Sequence, residues 1–276
     1  MGPPPAGGSF KAKTLTGSVG GALTIDQGVT LDRVGPLAVT GALAITDTGK
    51  AVDATSNAGL LFVGDVSTSS TADLSSNALV DLATFDLDAT GNAVTIEGVG
   101  IQQAYADDGT GSSSSAILSS IITLTGGSGD ILLGSASNDF TGQVSPSSTG
   151  SAVLLRDANT LEMDSLDAAI GDATDLTLIG DTKVTLEPEA ITTTSGSIDI
   201  RSLGGAEGDL STPGTITTGS GDVSLFAADL LTLSNSIVST SGDLRALAAS
   251  VQHSTGSPES PLELKTGGSG TILVNA

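Results

Sequence analysis

The chain has 276 residues, 31 of them acidic against nine basic, for a formal charge of -22, with no cysteine and only 2% aromatic residues. That charge excludes DNA and RNA as partners and disfavours anionic lipid, because the Lys and Arg that neutralise phosphates are missing. The lack of cysteine rules out disulfides, thiol nucleophiles and thiolate metal sites. A hydrophobic fraction of 38% is enough for a core, but one filled by Val, Ile and Leu without large aromatic plates has to be narrow, as in a stack of thin rungs.

Residues 1–12, with Pro3-Pro4-Pro5 and Gly7-Gly8, read as a flexible start that has neither the basic head nor the apolar segment of a signal peptide. No run approaches the roughly 18 apolar residues of a membrane span, so membrane insertion is not expected. Residues 13–276 read as a single solenoid, less regular over 13–123 and regularly repeated over 124–276. Ala22-Leu23-Thr24-Ile25 and Val29-Thr30-Leu31 are short strands. Gly41-Ala42-Leu43-Ala44-Ile45 then echoes Gly21-Ala22-Leu23-Thr24-Ile25 almost residue for residue. Leu60 to Val63, the alternating Phe85-Asp86-Leu87-Asp88, and Ala93-Val94-Thr95-Ile96 follow as further strands.

Between Gln102 and Ser115 the pattern stops, and Asp107-Asp108-Gly109 with the serine run Ser112 to Ser115 reads as a projecting loop. The next stretch, 116–125, has a helical option, but Ile121, Ile122 and Leu124 favour strand. From Gly129 an array begins whose turn positions are Gly129, Gly150, about Thr174, Gly196, Gly221, Gly242 and Gly270. Its clearest copies are Ser195-Gly196-Ser197-Ile198-Asp199-Ile200, Ser220-Gly221-Asp222-Val223-Ser224-Leu225 and Ser241-Gly242-Asp243-Leu244-Arg245-Ala246. In each, a small turn pair precedes apolar residues at every second position, the period of a half-buried strand.

Second and third strands complete each unit, as in Val184-Thr185-Leu186 with Ile191-Thr192, and Leu231-Thr232-Leu233 with Ile237-Val238. Pro188 and Pro213 fall at corners, where a missing N–H costs no ladder bond. Residues 203–212 and 252–261 read as insertions that leave from corners. Three short strands per unit of about 20–25 residues define the expected fold class: all-β, a parallel β-helix with three sides. Some 12 rungs spaced by about 4.8 Å would form a rod on the order of 55 to 60 Å long. Each buried Val, Leu or Ile would contribute roughly 1.5 to 3 kcal/mol. Stability in such a stack comes from neighbouring rungs, and open terminal rungs would expose backbone donors and acceptors, making end-to-end self-association a further expectation.

The run Leu231-Thr232-Leu233-Ser234, continuing through Ile237-Val238-Ser239-Thr240 to Ser241-Gly242-Asp243-Leu244, together with Ser137-Asn138-Asp139-Phe140-Thr141-Gly142, resembles the repeat region of filamentous-haemagglutinin-like large exoproteins, the adhesins exported by two-partner secretion. The resemblance covers residues 124–276 well and the front half loosely. It implies a right-handed parallel β-helix, a non-enzymatic stalk or adhesive role, and a location outside the cell or on a bacterial surface. Host or neighbour-cell surface glycans or proteins would be its partners. The family's amino-terminal secretion domain has no counterpart here, so the resemblance implies a longer parent chain, and Thr271-Ile272-Leu273-Val274 reads as an unfinished rung.

Catalytic and metal chemistry find little footing. The single His253 sits among polar residues and reads as a solvated loop histidine; without Cys, a tetrahedral zinc site would need carboxylates alone. No Gly-x-Ser-x-Gly, Gly-x-Gly-x-x-Gly or phosphate-loop Lys occurs. Gly126-Gly127-Ser128-Gly129-Asp130 lacks the spacing of the calcium-binding nonapeptide, and Asp107-Asp108 or Asn138-Asp139 would hold a weak ion at most. Arg156, Asp157, Glu162, Asp164 and Asp167 form the densest mix of acids with an Arg, which is the feature that would suit a β-helical lyase or glycosidase. The expectation is that these are solvated corner residues, with no catalytic, cofactor or metal site.

Overall fold

The computed structural model describes residues 10–19, 23–25, 29–39, 43–45, 51–56, 60–62, 66–67, 71–84, 86–104, 115–164, 166, 170–254 and 263–276. The alternation of apolar and polar residues becomes alternation of burial. In Ala152–Asp157, Val153, Leu155 and Asp157 are buried while Ala152, Leu154 and Arg156 face outward, and Ile198–Ser202 and Val223–Leu233 repeat the pattern.

Every ladder among the described residues is parallel, and each strand apart from those at the ends of the sheets pairs with the strand one coil earlier and one coil later. The molecule is therefore a three-sided parallel β-solenoid. One column of twelve strands runs from Leu23–Ile25 through Leu43–Ile45, Leu60–Phe62, Val80–Asp81, Ile101–Gln102, Ile131–Leu133, Ala152–Asp157, Asp175–Gly180, Ile198–Ser202, Val223–Leu233 and Leu244–His253 to Ile272–Asn275. We call this the long column. A companion column starts at Phe10–Val19 and Val29–Val39, and Val223–Leu233 and Leu244–His253 bend round a corner to serve both, so the two merge into one 22-stranded sheet. The third side consists of two four-stranded sheets, Val66–Ser67 to Asp139–Phe140 and Ile191–Thr193 to Leu264–Thr266.

Several sequence expectations are met strand for strand. The echo between Gly21–Ile25 and Gly41–Ile45 is a physical stack, with Leu23, Thr24 and Ile25 over Leu43, Ala44 and Ile45. The ambiguous 116–125 stretch is two strands, Ile117–Ser119 and Ile122–Gly127. Others shift. Residues 203–212 are not wholly an insertion: after a 3-10 turn at Gly205–Glu207 they return as Leu210–Thr212, which pairs with Val184 below and Leu231 above. His253 is exposed as expected but ends the strand Leu244–His253, paired with Leu233, instead of lying in a loop. The first strand, Phe10–Val19, begins inside the stretch read as a flexible start. The proposed loop between Gln102 and Ser115 falls almost entirely outside the described residues.

The stack changes its corner pattern at Gln143–Ser148. The first two residues of that strand pair with Glu162 and Met163, while Val144 to Ser148 pair with Ile122–Gly127. Before this point the chain visits companion column, long column and third side in turn; beyond it, the long column precedes the companion column. Pro146 sits inside the strand, buried over Leu124. A proline supplies no N–H to a ladder, and here the next coil pairs only with Gln143 and Val144 before touching the strand again through the single bridge Ser148–Ile170.

The core is one continuous column of aliphatic side chains, from Leu60 and Leu74 through Ile96, Leu124, Leu155 and Leu178 to Leu225 and Leu244. Phe140 is the largest of its fully buried side chains. Stacked rungs leave a narrow interior that such residues fill unaided, which is why a chain so poor in aromatics closes a core at all.

Candidate functional site

The repeated Ser-Gly phrase builds a corner. From Thr174 onward the register aligns Thr174, Gly196, Gly221, Gly242 and Gly270. The backbones approach so closely there that a Cβ on Gly196 would lie 2.0 Å from the Thr174 carbonyl oxygen, and one on Gly221 would lie 2.2 Å from that of Gly196. Only glycine fits such an approach. Gly150 departs from the expected count, because the ladder of Val153 over Ile131 sets Ser151 in line with Gly129.

A feature the sequence reading missed lies just before each glycine. Ser148, Thr193, Thr218 and Ser239 are buried hydroxyls, each two or three residues ahead of the corner. Ser148 Oγ donates to Gly129 O at 2.7 Å and accepts from Gly150 N at 2.9 Å. Thr218 Oγ1 donates to Gly196 O and accepts from Gly221 N, both at 3.0 Å. Ser239 Oγ donates to Gly221 O at 3.0 Å and accepts from Gly242 N at 2.8 Å. These hydroxyls pair backbone groups that a tight corner would otherwise leave buried and unmet. The signal was present in the sequence as a Ser or Thr three residues before Gly196, Gly221 and Gly242.

Just after the corner, carboxylates join consecutive coils. Asp130 Oδ1 accepts from Ser151 N at 2.7 Å, Asp175 Oδ1 from Ser197 N at 2.7 Å, and Asp222 Oδ1 from Asp243 N at 2.7 Å. Asp243 Oδ1 accepts from both Thr271 N and Thr271 Oγ1 at 2.9 Å, and these bonds hold its carboxyl below the usual range. Part of the excess acid thus works as splints between rungs.

A second polar cluster is buried where the corner pattern changes. Asn138 Nδ2 donates to Gln103 Oε1 at 2.8 Å and Leu133 O at 3.2 Å, and Asn138 Oδ1 accepts from Gln103 Nε2 at 3.1 Å and Ile117 N at 3.0 Å. One coil on, fully buried Asp157 accepts from Phe140 N and from Asn159 N, each at 2.6 Å. Burial pushes the Asp157 carboxyl up from 3.8 to about 6; the two backbone N–H groups pull the other way, and the charges of Asp139 and Asp181 add to the rise.

The acidic cluster singled out from the sequence does not come together. Arg156 faces outward and grips Asp181 of the next coil, Nε to Oδ1 at 2.9 Å and a second nitrogen to Oδ2 at 3.2 Å. Asp157 points inward, contrary to its expected place on a solvated corner. Glu162 and Asp164 share the outward side of their segment, and Asp164 Oδ2 accepts from Ser145 Oγ at 3.0 Å. Asp164 also borders a cavity of about 10 Å³ beside Leu166 and Leu186, room for no more than a single water. Asp167 and Asp107-Asp108 lie outside the described residues. Asn138, expected as a turn residue or weak ion ligand, is buried with its amide fully engaged.

A larger cleft of about 430 Å³ opens beside Asp81, Ala83, Thr84, Gln102 and Leu132. Ala83 adopts a positive φ of 51°, rare for a residue with a Cβ. Asp81 Oδ1 accepts from Ala83 N at 2.8 Å and Oδ2 from Gln102 Nε2 at 2.9 Å, so the carboxylate is committed to holding this turn. Among the described residues no group of three or more His, Cys, Asp or Glu could hold a metal ion, and no helix is long and apolar enough to cross a membrane. No protein family, curated protein or solved structure matches the chain.

Proposed function

We propose that this chain is a non-enzymatic structural segment, an extended stalk with adhesive flanks, belonging to a bacterial surface or secreted exoprotein similar to the filamentous-haemagglutinin-like adhesins. The observation that carries this reading is the pair of twelve-strand columns in which every described ladder is parallel. In such a stack each added coil adds length and leaves the cross-section unchanged. The polar side chains best placed to act, Asp130, Asp175, Asp222, Asp243 and the corner hydroxyls, are spent on joining one coil to the next. The flanks that remain are acidic and rich in Ser and Thr, and they would meet surface glycans or proteins through hydrogen bonds.

The experiment has two arms. Small-angle scattering should give a rod, and beads coated with the chain should bind glycan arrays or cells without degrading polysaccharide. Turnover of a polysaccharide that is abolished by Glu162→Gln or Asp164→Asn would replace this reading with that of a carbohydrate-active enzyme. A compact scattering profile would remove the stalk role.

A further inference from the structure

The cleft of about 430 Å³ belongs to the outward face of the long column. Asp81, Gln102 and Leu132 occupy one register position in three consecutive coils. The cleft therefore runs along the axis of the solenoid and spans about 10 Å from the first coil to the third. Ala83 and the exposed Thr84 and Ala104 form its side. Its size falls within the roughly 300–1,000 Å³ of small-molecule sites.

The shape of the cleft is enforced by its neighbours. Ala83 N donates to Asp81 Oδ1 at 2.8 Å and Ala83 O accepts from Ala104 N at 2.6 Å, which together hold the positive φ of 51°. Backbone strain fixed in this way is concentrated at ligand sites. Behind the cleft, Gln103 turns inward, where its amide donates to Ser115 Oγ at 2.8 Å and Asn138 Oδ1 at 3.1 Å. The wall is thus tied to the buried polar cluster.

The groups that face the cleft alternate between accepting and donating. Each Asp81 oxygen receives one hydrogen bond and has a second lone pair to offer, and Gln102 Nε2 gives one of its two hydrogens to Asp81. Gln102 Oε1 and the Thr84 hydroxyl add to this polar strip, while Leu132, Ala83 and Ala104 supply an apolar one. A pyranose ring is complementary to both, since its edge carries hydroxyls that donate and accept and its faces present C–H bonds. Sulfated or carboxylated sugars are repelled by Asp81 and by a chain of charge -22. Coils spaced by about 4.8 Å advance at nearly the pace of a linear saccharide, one coil to one sugar unit. A peptide added as a strand needs an open sheet edge, and this cleft lies on a sheet face.

We infer that the cleft binds a linear, uncharged oligosaccharide of two or three units lying along the column axis. Asp81 and Gln102 hold its hydroxyls, and Leu132 meets a ring face. The inference rests on the adhesive reading and gives that reading a place on the molecule and a ligand class.

The test is a nuclear magnetic resonance titration of the full 276-residue chain, following the Gln102 side-chain amide. The ligands are unbranched neutral gluco-, galacto- and manno-oligosaccharides of one to four units, with a sulfated glycosaminoglycan fragment and an uncharged Ser/Gly peptide for comparison. At least one neutral series should shift the amide saturably, with affinity that rises up to three units and levels off at four. Gln102→Leu should abolish binding with an unchanged circular dichroism spectrum. Thr84→Val, at an exposed position, should weaken it by about two- to tenfold, the range of one lost hydrogen bond. Ser224→Ala, further along the same face, should bind as the parent does. A Gln102 amide indifferent to every neutral saccharide overturns the inference, as does binding that survives both cleft variants or that prefers the sulfated fragment or the peptide. Coated beads separate this site from the wider role. Beads that adhere to cells although the soluble chain binds no saccharide remove the site and leave the adhesive role, whereas saccharide binding in solution by a chain whose beads adhere to nothing keeps the site and removes the role.

Discussion

Asp157 should make the solenoid more stable in mild acid than at neutral pH. Its carboxyl is buried with no paired cation among the described residues, and its folded value of about 6 stands above the ordinary 3.8. Between those two values the native chain binds more protons than the unfolded chain, so this group's contribution to stability falls as pH rises through about 6. Lowering the pH from 7 to 5 therefore stabilises the fold by on the order of 1 kcal/mol through this residue alone. The other 30 acidic residues titrate as well, so the measurement is a difference. Urea unfolding followed by circular dichroism is run at both pH values on the parent and on Asp157→Asn. The asparagine oxygen can accept only one of the two backbone N–H bonds, which makes the variant's absolute stability uninformative; its pH slope is the readout. The parent should gain on the order of 1 kcal/mol more than the variant on acidification. Parallel pH curves for the two proteins, or a carboxyl carbon resonance of Asp157 that titrates near its ordinary value, would refute the reasoning.

Gly196→Ala should destabilise by about 3 kcal/mol or more, since the new Cβ would fall 2.0 Å from a backbone carbonyl oxygen that cannot move aside; an unchanged melting temperature would count against the stacked corner. Ser239→Ala should cost about 1–3 kcal/mol by leaving Gly242 N and Gly221 O without their buried partner, whereas exposed Ser241→Ala should stay within about 0.5 kcal/mol. Leu225→Ala, at a fully buried core position, should cost about 2–5 kcal/mol in chemical unfolding. Asp243 has the opposite sign to Asp157: its carboxyl is held low by Thr271, so its contribution is present above the ordinary carboxylate value and is lost as pH falls through the folded one. The protection of the Thr271 amide, measured relative to its intrinsic exchange rate at each pH, should fall at low pH and in Asp243→Ala, and protection indifferent to both would dismiss the splint.

What could be read from the sequence was whatever depends on local periodicity and on the steric needs of a single residue type. Alternating Val, Leu and Ile set the buried face of each strand; Ser-Gly marked the corners, since only glycine admits the backbone of the coil below; and the scarcity of aromatics required a thin interior. The duplicated Leu23-Thr24-Ile25 and Leu43-Ala44-Ile45 even announced their own pairing, because parallel stacking puts like over like. Tertiary structure alone decided which polar residues were structural. Asp157 and Arg156 are neighbours in the chain, yet strand alternation sends one into the core and the other across to Asp181. Thr218 and Ser239 are set apart in sequence only by standing three residues before a glycine, and become buried corner pins only when another coil is laid against them. The shift at Gln143–Ser148 was equally hidden, because it depends on which coil a strand meets and not on its own residues. Periodicity is local and survives in one dimension, whereas burial, charge and pairing belong to contacts between coils about 20 residues apart, and only folding creates those contacts.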